Sequence, residues 1–388
     1  MKKVLSFSFV LMLGLVASQI LPGLLGEGYG TLRVLSDTLL YVCLSFIMIN
    51  VGREFELDKS KWRSYTADYF IAMATAAMPW LLIALYYVFV LLPTDLWGSG
   101  AAWKENLLLS RFAAPTSAGI LFTMLAAIKL NNTWMYKKIQ VLAIFDDLDT
   151  ILLMIPLQIM MIGLKWQLFA VIFVVVILLW FGWKKLNTYN APQGWFHILL
   201  YATFVYALTQ VVYVASKGLF GTDGGIHIEV LLPAFVLGMV LKTRHSESKH
   251  EHQAADIIST LFMFLVGLSM PLFIGLETHE ANPTSLTAAQ PMMSWGEIAL
   301  HVVAVSILSN VGKLFPMLFY RDRKLSERLA LSIGMFTRGE VGAGVIFIAL
   351  GYNLGGPALV ISVLTLVLNL ILTGGFVLIV KRLALKTY

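Results

Sequence analysis

Long apolar runs separated by short polar connections fill the chain. A helix needs about 20 apolar residues, at 1.5 Å per residue, to cross the roughly 30 Å hydrocarbon core of a bilayer. Twelve segments have about that length: 4–24, 32–52, 67–93, 105–129, 136–162, 166–184, 196–217, 226–242, 256–276, 295–320, 327–351 and 357–380. Barrel strands need only about 10 alternating residues, so these runs are far too long for them. The longest connection, about 277–294, leaves no room for a soluble domain. The pattern predicts an all-α membrane protein of about 12 transmembrane helices, a single transmembrane domain over residues 1–388.

Composition strengthens that reading. The chain is 59% hydrophobic and 13% charged, with mean hydropathy +0.80, against roughly 45–50% and 25% for a soluble protein. Soluble enzymes, disordered chains and disulfide scaffolds are excluded, and the one cysteine, Cys43, forbids an internal disulfide or a Cys-based metal site. The net charge of +6 sits on basic residues scattered between apolar runs, which argues for membrane anchors and against nucleic acid. With alternate connections assigned to opposite sides, 21 of the 28 Lys and Arg fall on one side, four on the other and three within spans. The rich side is then cytoplasmic, with both termini inside. The start, MKK and about 18 apolar residues, is long for a signal peptide and reads as a retained first span. Trp62, Trp97, Trp103, Trp134, Trp166, Trp183, Trp195 and Trp295 lie near span ends, as interfacial belts do.

A charge near the bilayer centre is expensive and usually faces a cavity or a partner. The fifth span carries Ala143-Ile144-Phe145-Asp146-Asp147-Leu148-Asp149. Asp146 lies about ten residues, roughly 15 Å, from the cytoplasmic end of that span. Asp147 is about 100° further round the helix, and Asp149 lies on nearly the same face as Asp146. Desolvation and a like-charged neighbour disfavour a bare carboxylate. A proton and a hard cation such as Na⁺ or Li⁺ therefore compete for the same oxygens, and the titration belongs to the pair.

Two further spans carry helix breakers in mid-membrane: Ala113-Ala114-Pro115-Thr116-Ser117-Ala118-Gly119 in the fourth, and Gly334 with Thr337-Arg338-Gly339-Glu340-Val341-Gly342-Ala343-Gly344 in the eleventh. Backbone groups freed there need partners or a cavity, and half-helix ends supply positive and negative dipole ends. The third to fifth spans form one block and the tenth to twelfth another that starts from the opposite side. A broken helix at the centre of each block is the arrangement of an inverted repeat. Lys313 in the tenth span pairs with Asp147 or balances the negative half-helix ends, unless it snorkels to the interface. Asp146, Asp147, Asp149 and Glu340 face Arg111, Lys313 and Arg338, which leaves one acid for the transported ion. Lys313 is expected to pair with Asp146, and Asp149 and Glu340 with Arg111 and Arg338.

These residues resemble the monovalent cation:proton antiporter superfamily, especially sodium/proton antiporters of the NhaA and NapA type. The motif Thr337-Arg338-Gly339-Glu340-Val341-Gly342 is more similar to the NapA- and Kef-type branch than to NhaA. The resemblance implies NhaA-like inverted repeats with two broken helices crossing at the midplane. It implies a core of spans about 67–162 and 295–380 that moves as an elevator beside a scaffold of the remaining spans. It assigns the cation and proton site to Asp147, assisted by Asp146, with Thr116 and Ser117 at the crossing and Lys313 linked to electrogenic exchange. Arg111, Asp149, Arg338 and Glu340 form the surrounding charge network. In NhaA an Asp follows the Thr that corresponds to Thr116; here it is Ser117, and Glu340 is expected to replace the missing anion. The implied function is secondary active Na⁺ (or Li⁺)/H⁺ antiport in a bacterial inner membrane by a homodimer without cofactor or enzymatic activity. Potassium/proton exchange and sodium-coupled uptake of an organic anion are the alternatives. His245, His250 and His252 are read as part of a solvated cytoplasmic connection, His227 and Glu229 as interfacial, and His301 is left open.

Overall fold

The computed structural model describes residues 2–26, 28–54, 62–127, 130, 133–162, 166–220, 230–242, 249–270, 293–352 and 354–385. The side chains of Asp147 and Glu340 lie outside the described set, as do His227, Glu229 and His245 altogether. No strand occurs among the described residues, and a lone parallel bridge joins Tyr189 to Leu241. This is the all-helical form that a bilayer imposes, because each helix satisfies its own backbone. By length and composition, seven described helices can cross a membrane: Lys3–Leu25, Gly28–Arg53, Ser64–Leu91, Gly100–Ala127, Trp195–Gly218, Trp295–Leu318 and Pro357–Leu385. The other expected spans fall on helices that carry acids, are interrupted, or extend outside the described residues.

The chain divides into two compact units. The first comprises Met1–Glu27, Ser60–Leu157 and Val266–Tyr388. It holds α1 (Lys2–Leu25), α3 (Trp62–Tyr86), α4 (Gly100–Ser110), α5 (Ala118–Ala127), most of α6 (Trp134–Ile162), α11 (Trp295–Gly312), α12 (Leu325–Gly334), α13 (Glu340–Gly351) and α14 (Pro357–Leu385). Here α14 packs on α1, α11 and α12, and α3 packs on α4 and α11. A capping box starts α11: the Glu297 N–H donates to Ser294 Oγ and the Ser294 N–H donates to Glu297 Oε2 at 2.7 Å. At its other end, Gly312 meets α3 where Pro79 lacks an N–H. A Cβ on Gly312 would stand 2.5 Å from Pro79 N and 2.6 Å from its Cα, so only glycine lets the two backbones come this close.

The second unit comprises Gly28–Lys59 and Gln158–Leu265. It holds α2 (Gly28–Glu54), α7 (Trp166–Lys184), α8 (Trp195–Phe220), α9 (Leu231–Val240) and most of α10 (Lys249–Leu268). Helix α2 packs on α8, and on α9 through a glycine pair, Gly52 against Gly238, the small-residue contact typical of membrane helices. The outward faces of α7 and α8 carry Phe169, Phe173, Trp180, Phe204, Val211 and Val214, an apolar surface suited to lipid. Helices α3, α6, α7, α8 and α11 each begin at a tryptophan, which fits the belt reading. One expectation needs correcting. His250 and His252 do not lie in a connection: α10 starts at Lys249, seven residues before the expected span, and both sit in its first turn.

Candidate functional site

Both helix breaks lie in the first unit and touch each other. After α4 the chain tightens into a 3-10 turn at Arg111–Ala113 and has no regular secondary structure over 115–117. Pro115 cannot donate to a ladder, and Ser117 caps α5. Its Oγ accepts from the Ile120 N–H at 3.4 Å and its carbonyl from the Leu121 N–H at 3.0 Å. The second break runs from Met335 to Gly339, whose carbonyl accepts from the Ala343 N–H as α13 begins. Three bonds join the breaks. The Ser117 N–H donates to Thr337 O at 3.0 Å, Thr116 Oγ1 to Met335 O at 3.1 Å, and Thr337 Oγ1 to Ser117 O at 3.4 Å. Backbone groups freed by each interruption are thus satisfied by the other, as a low-dielectric setting requires.

Asp146 of α6 is fully buried against this junction. Its Oδ2 accepts from the Thr116 N–H at 2.7 Å, just ahead of α5, where an anion complements the helix dipole. Lys313, also fully buried, caps the end of α11 and donates to both Asp146 oxygens at 2.9 Å and to Thr116 Oγ1 at 3.1 Å. The lysine is paired in the interior and does not snorkel. Asp146 thus sets an anion at the N-terminus of α5, and the contribution expected there from Glu340 lies outside the described residues.

Among the described residues the guanidiniums bond groups other than the Asp149 carboxylate, and the expected pairing with Glu340 lies outside that set. Arg338, 1% exposed, donates to Met335 O at 3.0 Å and to Ser309 Oγ at 2.9 Å, one turn before Lys313 on α11. It thereby satisfies a carbonyl left open at the end of α12. Arg111 lies 4.8 Å from the Trp80 ring centroid and donates to the main-chain carbonyl of Asp149 at 3.1 Å. The Asp149 carboxylate is hydrogen-bonded to Tyr69. The expected ion pair between that carboxylate and Arg111 or Arg338 is therefore absent among the described residues: the helix geometry presents Arg111 with the carbonyl of Asp149. The structure brings together Asp146, Lys313, Thr116, Ser117 and Arg338, and places Arg111 and Asp149 beside them. Asp147 follows Asp146 within α6, and Glu340 opens α13.

Several residues escaped the sequence pattern. Asn369 of α14 accepts from Asn310 at 3.0 Å and donates to Ser306 at 3.1 Å, joining α11 to α14. An Asn in the middle of the apolar 357–380 run was the available signal. Asp68 accepts from Lys138 at 2.8 Å and from Tyr320 at 2.7 Å, and its place at a span end concealed it. Tyr86 bonds His301 Nδ1 at 2.7 Å, which accounts for that histidine.

The geometry is a buried lysine–aspartate pair at the contact of two interrupted membrane helices. A search of curated proteins finds no significant match. The family model described as sodium/hydrogen exchanger, transmembrane, matches residues 3–382, nearly the whole chain. The chain belongs to the sodium/hydrogen exchanger family of monovalent cation:proton antiporters.

Proposed function

We propose that the protein exchanges Na⁺ or Li⁺ for protons across the bacterial inner membrane, with both termini cytoplasmic and with Asp147 as the carrier carboxylate. The observation that supports this most is the Asp146–Lys313 pair buried where the two breaks meet. Asp146 is committed to Lys313 and to the N-terminus of α5, which leaves the neighbouring Asp147 to alternate between proton and cation. Thr116 and Ser117 hold the crossing in shape. Cation arrival loosens the hold of Lys313 on Asp146, so that charge is redistributed within the site on each cycle. Two protons leave per Na⁺ bound, one from the Asp147 carboxyl and one from the Lys313 ammonium, so exchange is electrogenic and the membrane potential acts with about 2.3 kcal/mol per charge per 100 mV. The unit that contains both breaks is the moving part of an elevator, and the chain works as a homodimer.

Reconstitution tests this reading. Vesicles holding the purified protein, an imposed pH gradient and an internal pH dye should respond to added Na⁺ or Li⁺, and solid-supported membranes should record a Na⁺-triggered current. Asp147→Asn should insert and fold normally yet give no response. Near wild-type exchange by that variant rejects Asp147 as the carrier. A response to K⁺ alone makes the protein a potassium/proton exchanger, and exchange indifferent to potential leaves Lys313 a structural residue.

A further inference from the structure

Asp149 is 1% exposed, and its Oδ2 accepts no hydrogen bond among the described residues. Its other contacts are accounted for. Tyr69 of α3 bonds the carboxylate, and Arg111 bonds the main-chain carbonyl, not the side chain. Tyr69 is itself held edge-on by Phe145, with ring centroids 5.5 Å apart. An acid serving only to hold helices together would face a guanidinium or an ammonium, as Asp68, next to Tyr69 on α3, faces Lys138. A protonated acid could donate through its other oxygen to the Tyr69 hydroxyl, which would still leave Oδ2 an acceptor without a donor. In either state Oδ2 has no described partner, and a buried carboxyl oxygen without one is costly.

We propose that Asp149 is a further cation-binding residue, whose free Oδ2, in a carboxylate oriented by the Tyr69 hydroxyl, takes the transported monovalent cation one helical turn from Asp146. The inference rests on the antiport reading above and adds a binding residue outside the Asp146–Asp147 pair. Hard cations take oxygen ligands, and carboxylates suit them best. Asp149 stands three residues beyond Asp146 on α6, a rise of about 4.5 Å. Arg111 stays on the carbonyl and on Trp80, which keeps its charge near Asp149 without occupying the oxygen. Tyr69 acts as a positioning residue.

The test uses the full-length protein in vesicles, with NaCl and LiCl titrated under a fixed pH gradient, and thermal unfolding in detergent with and without Na⁺. Asp149→Asn should raise the half-saturating Na⁺ concentration by about tenfold, with a smaller effect on the saturating rate, the mark of lost cation binding. Its unfolding midpoint without Na⁺ should equal or exceed that of the wild type, and the rise on adding Na⁺ should shrink. Tyr69→Phe should raise half-saturation by about two- to fivefold and alter the Na⁺/Li⁺ ratio, because one net hydrogen bond to a charged group is lost. An Asp149→Asn protein with wild-type half-saturation, or one destabilised without Na⁺ or unable to fold, overturns the inference. So does a Tyr69→Phe protein with unchanged half-saturation and ion preference. Wild-type vesicles in which no cation moves protons overturn the antiport reading itself; normal wild-type exchange alongside an indifferent Asp149→Asn overturns the inference alone.

Discussion

Lys313 holds Asp146 by both carboxylate oxygens, each 2.9 Å from Nζ, with neither side chain reaching solvent. Removing one member of such a pair strands the other charge in the interior. Lys313→Met is expected to lose about 3–5 kcal/mol of stability. Asp146→Asn combined with Lys313→Met should recover most of that loss. A thermal-unfolding cycle over the four proteins measures the coupling, and additive effects would show that the pair does not act as a unit.

Thr116 bonds in two directions at once: its Oγ1 accepts from Lys313 and donates to Met335 O. Thr116→Val keeps the shape and removes both bonds. The expected cost is about 1–3 kcal/mol, since the lysine and the carbonyl each lose a buried partner. Proton-coupled cation flux should fall more steeply than the unfolding midpoint. A variant with wild-type flux would confine Thr116 to a packing role.

Gly312→Ala inserts a methyl group 2.5 Å from Pro79 N, where two backbones meet and no side chain can swing aside. Helices α3 and α11 must separate, at a cost of about 1–3 kcal/mol, and Lys313, the next residue, moves with α11. Thermal unfolding and transport should both deteriorate. Gly344, whose Cβ would meet nothing within 4 Å, is the control, and Gly344→Ala should be neutral.

Asn369→Leu deletes the bonds to Asn310 and Ser306 within the α11–α14 contact. Interhelical hydrogen bonds in membranes average about 0.6 kcal/mol and reach about 1.7. A loss within that range is expected, measured by unfolding in detergent. A gain would mean that apolar packing outweighs the amide here.

Outside the spans, Tyr320→Phe removes the phenol that donates to Asp68 and leaves Lys138 as the partner of that carboxylate. Loss of a hydrogen bond to a charged group predicts about 1.5–3 kcal/mol. The aromatic contacts of the ring with Trp134 and Lys138 should persist.

The breaks were legible in the sequence because Pro115 and Gly339 act through the local backbone, which a linear pattern reports. Asp146 and Lys313 stood out because a charge amid apolar residues is costly wherever the helix packs. Partner choice was legible only in part: the count of charges put Lys313 on Asp146, as found, but not the arginines on their carbonyls. Which face of α11 meets α6 follows from contacts such as Gly312 on Pro79, between residues more than 200 positions apart, so the burial of Lys313 as opposed to snorkelling could not be decided. Arg111 bonds a main-chain carbonyl, and no side-chain pattern announces a carbonyl. Tyr69 looked like one more aromatic in an apolar span until the structure put Asp149 beside it. His250 and His252 were misplaced because a polar first turn reads like a loop.

The clasp between the two breaks closes on main-chain carbonyls: the Ser117 N–H reaches Thr337 O, and the Thr116 and Thr337 hydroxyls reach Met335 O and Ser117 O. A main-chain donor survives any substitution at its own residue except proline, whereas the two hydroxyl donors need Thr or Ser. The crossing is therefore a scaffold whose side-chain demands fall on two threonines, while charge and ion contacts rest on a few exchangeable groups around it. Ion preference can then drift by single substitutions without rebuilding the helices that frame the site. Redesign of selectivity should begin with Asp149, Tyr69 and Ser309 and leave the clasp untouched.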